Sequence, residues 1–368
     1  DEKGYKMSKS LGNVVDPKLV IEGGNNKKAQ PAYGADVLRL WVASVNYAAD
    51  VCIGDGIVKQ TADTYRKLRN TARYMLGNLH DYDPKAHAVP LAQLPALDRY
   101  MLGRLAQVLA EVRECYEAHQ FSRVYSLLQQ FAVSDLSNFY LDIAKDRLYI
   151  SGPDDARRRS CQTVLAACVE GLAAALAPIL PHLAEDIWQY LPYEKSHASV
   201  FEAGWPKRAE PLEQPALWEA VRKLRDEVNQ AFEVARNDKI IGATLEAKLL
   251  LHVDGDEQLA AALAEWAAPN GNGVDELRWL FLASHVELCD SAEAVEAAAA
   301  NTRRVDGLTI GVAAASGVKC ERCWNYSDDI GVVDRFPTVC ERCADALDAV
   351  GFVLPEIGQL PKPEEVAA

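Results

Sequence analysis

Four of the nine cysteines are spaced for metal chemistry. Cys320 and Cys323 form one C-x2-C pair, and Cys340 and Cys343 form a second after residues 324–339. A C-x2-C turn aims two thiolates at one point, and two such turns complete the tetrahedral shell that Zn2+ prefers. No histidine follows His285, so four cysteines are the economical ligand set. With every position filled by protein, the reading is one structural Zn2+. Two redox dithiols or two disulfides would use the same residues. The odd cysteine total, and a charged opening that reads as no secretory leader, weigh against disulfides. Cys52, Cys115, Cys161, Cys168 and Cys289 lie in apolar or helical-looking stretches and read as small buried hydrophobes.

A second constellation is Lys6-Met7-Ser8-Lys9-Ser10, followed by Leu11-Gly12-Asn13. Two ammonium groups three residues apart in a Ser/Gly-rich loop suit a polyphosphate. The lysines supply point charge, and the hydroxyls and backbone N–H groups supply hydrogen bonds. A solvated basic loop is the alternative. Farther on, Lys59, Arg66, Lys67, Arg69 and Arg73 face a single acid, Asp63. Arg66, Arg69 and Arg73 fall at i, i+3 and i+7 and share one helix face, suited to a phosphate backbone or merely to water. Arg157-Arg158-Arg159 is a weaker candidate, expected at exposed positions opening a helix. Near the cysteines, Arg322, Trp324 and Arg342 have the chemistry to stack on or hydrogen-bond unpaired bases. Trp324 packed over the metal knuckle is the other reading.

The elements that must position these groups are mainly helical. A length of 368 residues suggests two or three domains. Composition is ordinary for a globular protein, with 49% hydrophobic and 25% charged residues. The net charge of −14 argues against bulk adhesion to nucleic acid, so any such contact must use local patches. The most apolar stretch, Val164 to Leu180, contains Glu170 and Pro178 and reads as a buried helix, which leaves no membrane span. Asp16-Pro17 predicts the cap and first residue of a short helix, and Ala35 to Val45 a second. Apolar periodicity predicts long helices over Val58–Leu79, Leu97–Tyr116 and Val124–Ile143, the last with one five-residue step from Phe131 to Leu136. Further helices are expected at about 155–177 and 181–191, making a bundle. Beyond Trp205-Pro206 come a helix at 216–237 and strands at Leu245–Val253, Val286–Cys289 and Leu308–Ala313, a small α+β domain. The Gly317 hinge and a Pro-rich tail predict few contacts between the cysteine module and the rest.

Lys6 to Asn13 resembles the second signature of class I aminoacyl-tRNA synthetases. The resemblance extends through Val14 and Asp16-Pro17, then Tyr33-Gly34-Ala35-Asp36-Val37-Leu38-Arg39-Leu40-Trp41. Asn70-Thr71-Ala72-Arg73-Tyr74 and Phe139-Tyr140-Leu141-Asp142 follow the same pattern. With the four-cysteine module, the chain is similar over essentially its whole length to the C-terminal portion of bacterial isoleucyl-tRNA synthetases. The resemblance implies a mainly α fold. Residues 1–54 would be the loop and an incomplete end of a class I catalytic domain, 55–205 a helical anticodon-binding bundle and 206–318 a small α+β junction domain. Residues 319–350 would be a four-cysteine zinc ribbon and 351–368 a flexible tail.

The resemblance also implies ATP-dependent activation of isoleucine and its transfer to tRNA(Ile), in the cytoplasm, by a monomer. Lys6, Met7, Ser8, Lys9 and Ser10 would close over ATP with Mg2+. Lys9 would stabilise charge on the phosphates as pyrophosphate leaves, with Lys6 assisting. Arg66, Arg69, Arg73, Arg322 and Trp324 would touch tRNA. The family's other ATP signature, His-Ile-Gly-His, is absent, since no two of the seven histidines are three residues apart. The opening Asp1-Glu2-Lys3-Gly4-Tyr5 lacks an initiator Met. The sequence therefore reads as truncated, and these residues alone as inactive, with the isoleucine pocket and editing domain N-terminal to them. The link from Glu22 to Pro31 looks longer than usual. Valine- and leucine-type synthetases share the loop and bundle, but the four-cysteine module favours the isoleucine type. A non-catalytic RNA-binding protein made of a helical bundle and a zinc ribbon is the alternative from another class.

Overall fold

The computed structural model describes residues 1–28, 30–268 and 276–354. The chain divides into two compact units, residues 1–142 with 159–214, and residues 143–158 with the chain from Pro215 onward. The tail expected at 351–368 lies outside the described residues beyond Leu354. Among the described residues no helix is long and apolar enough to cross a membrane.

In the first unit α1 (Pro17–Glu22) starts as its sequence dictates. The Asp16 carboxylate accepts the Lys18 N–H at 2.8 Å and Pro17 occupies the first turn. Gly34, at φ 84°, turns the chain into α2 (Ala35–Ser44). Then α3 (Asp55–Gly77) buries Val58, Ala62, Leu68, Ala72 and Met75, and turns its cations outward. A short α4 (Pro84–His87) leads to α5 (Ala96–Glu117) and α6 (Phe121–Gln130). From Phe131 to Tyr140 the helix widens into a π-helical stretch before α7 (Leu141–Tyr149). This is the five-residue step of the sequence. An i→i+5 turn lets Phe131, Leu136 and Tyr140 all stay fully buried. The Tyr140 hydroxyl donates to buried Asp98 at 2.7 Å, and the Thr71 and Ser137 hydroxyls meet at 2.8 Å. The bundle closes with α8 (Ala156–Leu176), α9 (Pro181–Gln189) and α10 (Val200–Ala203).

The second unit opens with most of α7, from Ile143 on, and, after Pro215, runs α11 (Pro215–Asn237), β1 (Ala247–Val253), α12 (Glu257–Trp266) and α13 (Glu276–Phe281). It continues with β2 (His285–Leu288), α14 (Ala292–Ala298), β3 (Asn301–Val305) and β4 (Leu308–Ala314). The sheet order is β2-β1-β4-β3, with β1 and β2 parallel and the other pairs antiparallel. Alternation in β1 predicts one buried face, yet Leu249, Leu250 and Leu251 are all buried. The second face is covered by α14. Leu250 pairs with Gly311, where a Cβ would come within 2.7 Å of Val295 and Ala299. Strand β3 is polar and gives no apolar signal. It pairs with β4, and its side chains reach neighbouring helices: Arg303 donates to Glu227 of α11 at 2.7 Å, and Arg304 to Glu296 of α14 at 2.8 Å.

Two expectations about single residues need correction. Arg158 and Arg159 are buried and Arg157 is half-buried, not exposed. Arg159 donates to the Asp81 carbonyl at 2.9 Å, while Arg157 pairs with Glu276 and lies 3.9 Å above the Trp279 ring. Arg158 donates to the Pro153 carbonyl at 3.3 Å. Burying guanidinium groups is costly unless they are held in this way, so the triplet is structural. Among the five isolated cysteines, Cys115, Cys161 and Cys168 are buried, but Cys52 is exposed and Cys289 is partly so. Cys52 sits in the extended link between α2 and α3, which is fixed through its backbone: the Trp41 indole donates to the Cys52 carbonyl at 3.3 Å.

Candidate functional site

The four cysteines converge. The hairpin of β5 (Val318–Lys319) and β6 (Tyr326–Ser327) carries the first knuckle, and α15 (Glu341–Ala349) carries the second on its first turn. The four sulfurs lie within 4.8 Å of one another, all buried. Cys323 and Cys340 Sγ are 3.8 Å apart. A zinc ion with Zn–S bonds of about 2.3 Å needs sulfurs separated by about 3.8 Å, so the site fits the ion. Phe336, Val339 and Ala344 form a small core around it. Hydrogen bonds from the thiols of Cys323, Cys340 and Cys343 pull Cys320 far below the ordinary thiol range. For Cys323 the Cys320 contact opposes, and those from Cys340 and Cys343 prevail, lowering it to about 5. Contacts with Cys320 and Cys323 push Cys340 and Cys343 up.

The module is not loosely attached, contrary to the sequence expectation. Arg342 makes a two-pronged ion pair with Asp146 of α7, its Nη2 at 3.0 Å. Burial opposes the Arg342 charge, and the Asp146 carboxylate outweighs it, raising the pKa. Arg322 donates to the Ile150 carbonyl at 2.8 Å. Fully buried Ser284 accepts the Tyr326 N–H at 2.7 Å and donates to the Leu245 carbonyl. The arginines thus reach segments that sequence distance hides. Trp324 does not pack over the knuckle. It is 61% exposed, at φ 64°, with the Lys319 ammonium 5.8 Å from its ring.

The Lys6–Ser10 loop is open to solvent. Neither the Lys6 nor the Lys9 ammonium has an ion pair or hydrogen bond among the described residues, and both residues are exposed. Asn13, whose role spacing alone does not show, ties the loop together. Its Oδ1 accepts the Ser8 N–H at 2.9 Å, and its Nδ2 donates to Asp1 at 2.9 Å and to the Lys6 carbonyl at 3.4 Å. Gly12, at φ 66°, makes the return turn. Glu2 accepts the Ile57 N–H at 3.1 Å, capping α3 where the helix offers no cap of its own.

Asp36 and Arg39 form a latch, also missed from sequence. Buried Asp36 accepts the Leu183 N–H at the start of α9, at 2.9 Å. Arg39 donates to the Pro178 and Ile179 carbonyls just past α8, each at 2.8 Å. Carboxylate meets a helix N-terminus and guanidinium meets a helix end, as the dipoles favour. Asp36→Ala would orphan that N–H, and is expected to lower stability by about 1–3 kcal/mol, read as a lower urea midpoint with unchanged m. An unchanged midpoint would remove the latch from the account.

On α3, Lys59, Arg66, Lys67, Arg69 and Arg73 are exposed. Arg66 pairs with Asp63. Arg69 and Arg73 have no ion pair or hydrogen bond among the described residues.

Residues 1–54 match the model for class I tRNA synthetases (I, L, M and V), 98–251 that for the anticodon-binding domain of tRNA ligases, and 317–346 that for a zinc finger found in FPG and IleRS. Isoleucine–tRNA ligase from Crocosphaera subtropica is 55% identical over 345 residues, 92% of this chain and 36% of that protein. The one from Thermosynechococcus vestitus is 56% identical over 337 residues, 90% of this chain and 35% of that protein. The chain belongs to the isoleucine–tRNA ligase family. It spans little more than a third of the length of these isoleucine–tRNA ligases. The family favours the isoleucine-type reading over the valine- and leucine-type ones and over an RNA-binding protein of another class, and the zinc-finger match falls on the four cysteines. A leucine-type synthetase in a ternary complex with tRNA, from Agrobacterium radiobacter K84, is similar at TM-score 0.43 and 18% identity, covering 83% of this chain and 31% of that one. At that score the likeness adds nothing further.

Proposed function

We propose that the chain supplies the ATP loop, the tRNA-binding surface and the zinc module of an isoleucine–tRNA ligase, which activates isoleucine with ATP and transfers it to tRNA(Ile). The observation that carries this reading is the joining, in one compact unit, of an open two-lysine loop and an exposed arginine face. Glu2, four residues before Lys6, caps the helix that bears the face.

Residues 1–54 end the catalytic domain, 55–205 bind the anticodon arm, 206–318 join this bundle to the zinc module at 319–350, and a tail follows. The loop of Lys6, Met7, Ser8, Lys9 and Ser10 folds over the phosphates of ATP and its Mg2+. The Lys9 ammonium stays on the phosphates as negative charge builds on leaving pyrophosphate, and Lys6 assists. Charge stabilisation of this kind needs unpaired cations, and both ammoniums are unpaired among the described residues. Asn13 keeps the loop closed on itself, so the two lysines keep their spacing. Arg66, Arg69 and Arg73 contact tRNA phosphates, and exposed Trp324 stacks on an unpaired base. Arg322 stands two residues before Trp324, though its guanidinium is held by the Ile150 carbonyl. Zinc, when bound, supplies structure rather than chemistry, because its four ligand positions are all protein. The complete ligase is a cytoplasmic monomer in this reading.

Arg66→Ala with Arg73→Ala is expected to weaken tRNA(Ile) binding and to flatten its dependence on log salt by about one unit per lost contact. Filter binding across a salt series measures this. An unchanged slope would return these arginines to a solvated face.

A further inference from the structure

We propose that Arg322 and Arg342 neutralise the zinc–thiolate centre and, through their reach, make metal occupancy hold the C-terminal turn of α7 in place. This rests on the zinc reading above. Both knuckles carry the same tetrapeptide, Cys-Glu-Arg-Cys, at 320–323 and 340–343. In each, the arginine stands just before the second ligand, and both arginines arrive at one helix end. Arg342 grips Asp146 with two nitrogens. Arg322 Nη1 donates to the Ile150 carbonyl at 2.8 Å and lies 3.6 Å from Cys343 Sγ, while Nη2 is 3.5 Å from the Tyr149 carbonyl.

Two physical needs meet here. The last carbonyls of a helix lack partners within it, and cations are favoured at that end. Four thiolates around Zn2+ leave a net negative centre that is stabilised by donors to sulfur and by nearby positive charge. Arg322 serves both needs with one guanidinium. The Ile150 side chain also packs on the core of the module, so the helix end and the metal shell share atoms of contact. Without metal, the two knuckles keep the Cys340 N–H contact to Cys320 Sγ at 3.4 Å and their small core, but lose the bonds that hold all four sulfurs to one point, and the common base of the two arginines loosens.

The test uses the purified chain. Zn2+ affinity is measured by competition with a chromophoric chelator, and hydrogen exchange is followed at amides 147–152 with and without Zn2+. The unaltered chain is expected to bind one Zn2+ and to exchange at least about ten-fold faster at 147–152 once the metal is removed. Arg322→Met or Arg342→Met should each weaken Zn2+ binding by about 10–100-fold, the range for groups that support metal ligands. Each should also exchange quickly at 147–152 even when saturated with Zn2+. Lys319→Met, which removes an exposed cation of the same module, should alter neither. If Arg342→Met does not fold, Arg342→Lys keeps the charge and loses the two-pronged grip. It should hold Zn2+ within a few-fold yet exchange faster. Zinc binding with affinity and exchange unchanged in the arginine variants overturns this proposal and leaves the zinc reading standing. No zinc binding by the unaltered chain overturns the zinc reading itself.

Discussion

Replacing Cys320 and Cys340 together by serine is expected to take bound zinc from one ion per chain to near zero, and to unfold the segment from about Lys319 to Ala346. The segment has only a small core, around Phe336, Val339 and Ala344. Metal binding in such modules contributes on the order of 10 kcal/mol, far more than that core can supply. The helices of the first unit should keep their signal, because their core residues, such as Met75, Met101, Leu105 and Phe131, are fully buried on their own account. Because Asp146 and Ile150 lean on the module, the end of α7 should loosen as well. Acid should act in the same direction. Zinc needs thiolate, so bound metal lowers the thiol pKa values, and the stability it confers falls as protons return to sulfur. Metal analysis together with hydrogen exchange checks both parts. Tight retention of zinc by the double variant would show that other ligands hold it.

Lys9→Ala, placed in a complete isoleucine–tRNA ligase carrying this chain, is expected to cut ATP–pyrophosphate exchange by about 10²–10³-fold, the usual cost of removing one donor aimed at developing charge. Binding of tRNA(Ile) should be nearly unchanged, since the arginine face lies on α3 and not on the loop. Lys6→Ala should cost less. Exchange at the parent rate would withdraw Lys9 from catalysis.

How far these sites could be read from sequence follows from the reach of each interaction. Two C-x2-C pairs fix their own geometry, so the zinc centre was legible without a fold. The helices were legible because periodicity is local, and even the π-helical stretch left its mark as the step from Phe131 to Leu136. Strand β3 was not legible, because its polar residues give no apolar alternation and its partners, β4 and the acids of two separate helices, are brought to it only by the tertiary fold. Arg157 and Arg159 looked like surface groups for the same reason: their partners, among them Glu276, Trp279 and Asp81, are distant in sequence. The roles of Asp36, Arg39 and Asn13 were equally hidden, although each stood in plain view within a recognisable segment. The repeated Cys-Glu-Arg-Cys was readable, but the helix end that its two arginines share was not.

The most direct test of the account is the binding of tRNA(Ile) to the purified chain, measured beside a tRNA(Ile) whose anticodon has been replaced and beside an unrelated tRNA at the same salt. The account predicts that tRNA(Ile) binds at least about ten-fold more tightly than either competitor, and that Arg66→Ala with Arg73→Ala weakens all three while flattening their salt dependence. Equal affinity for the three RNAs, with no change on removing the two arginines, would contradict it.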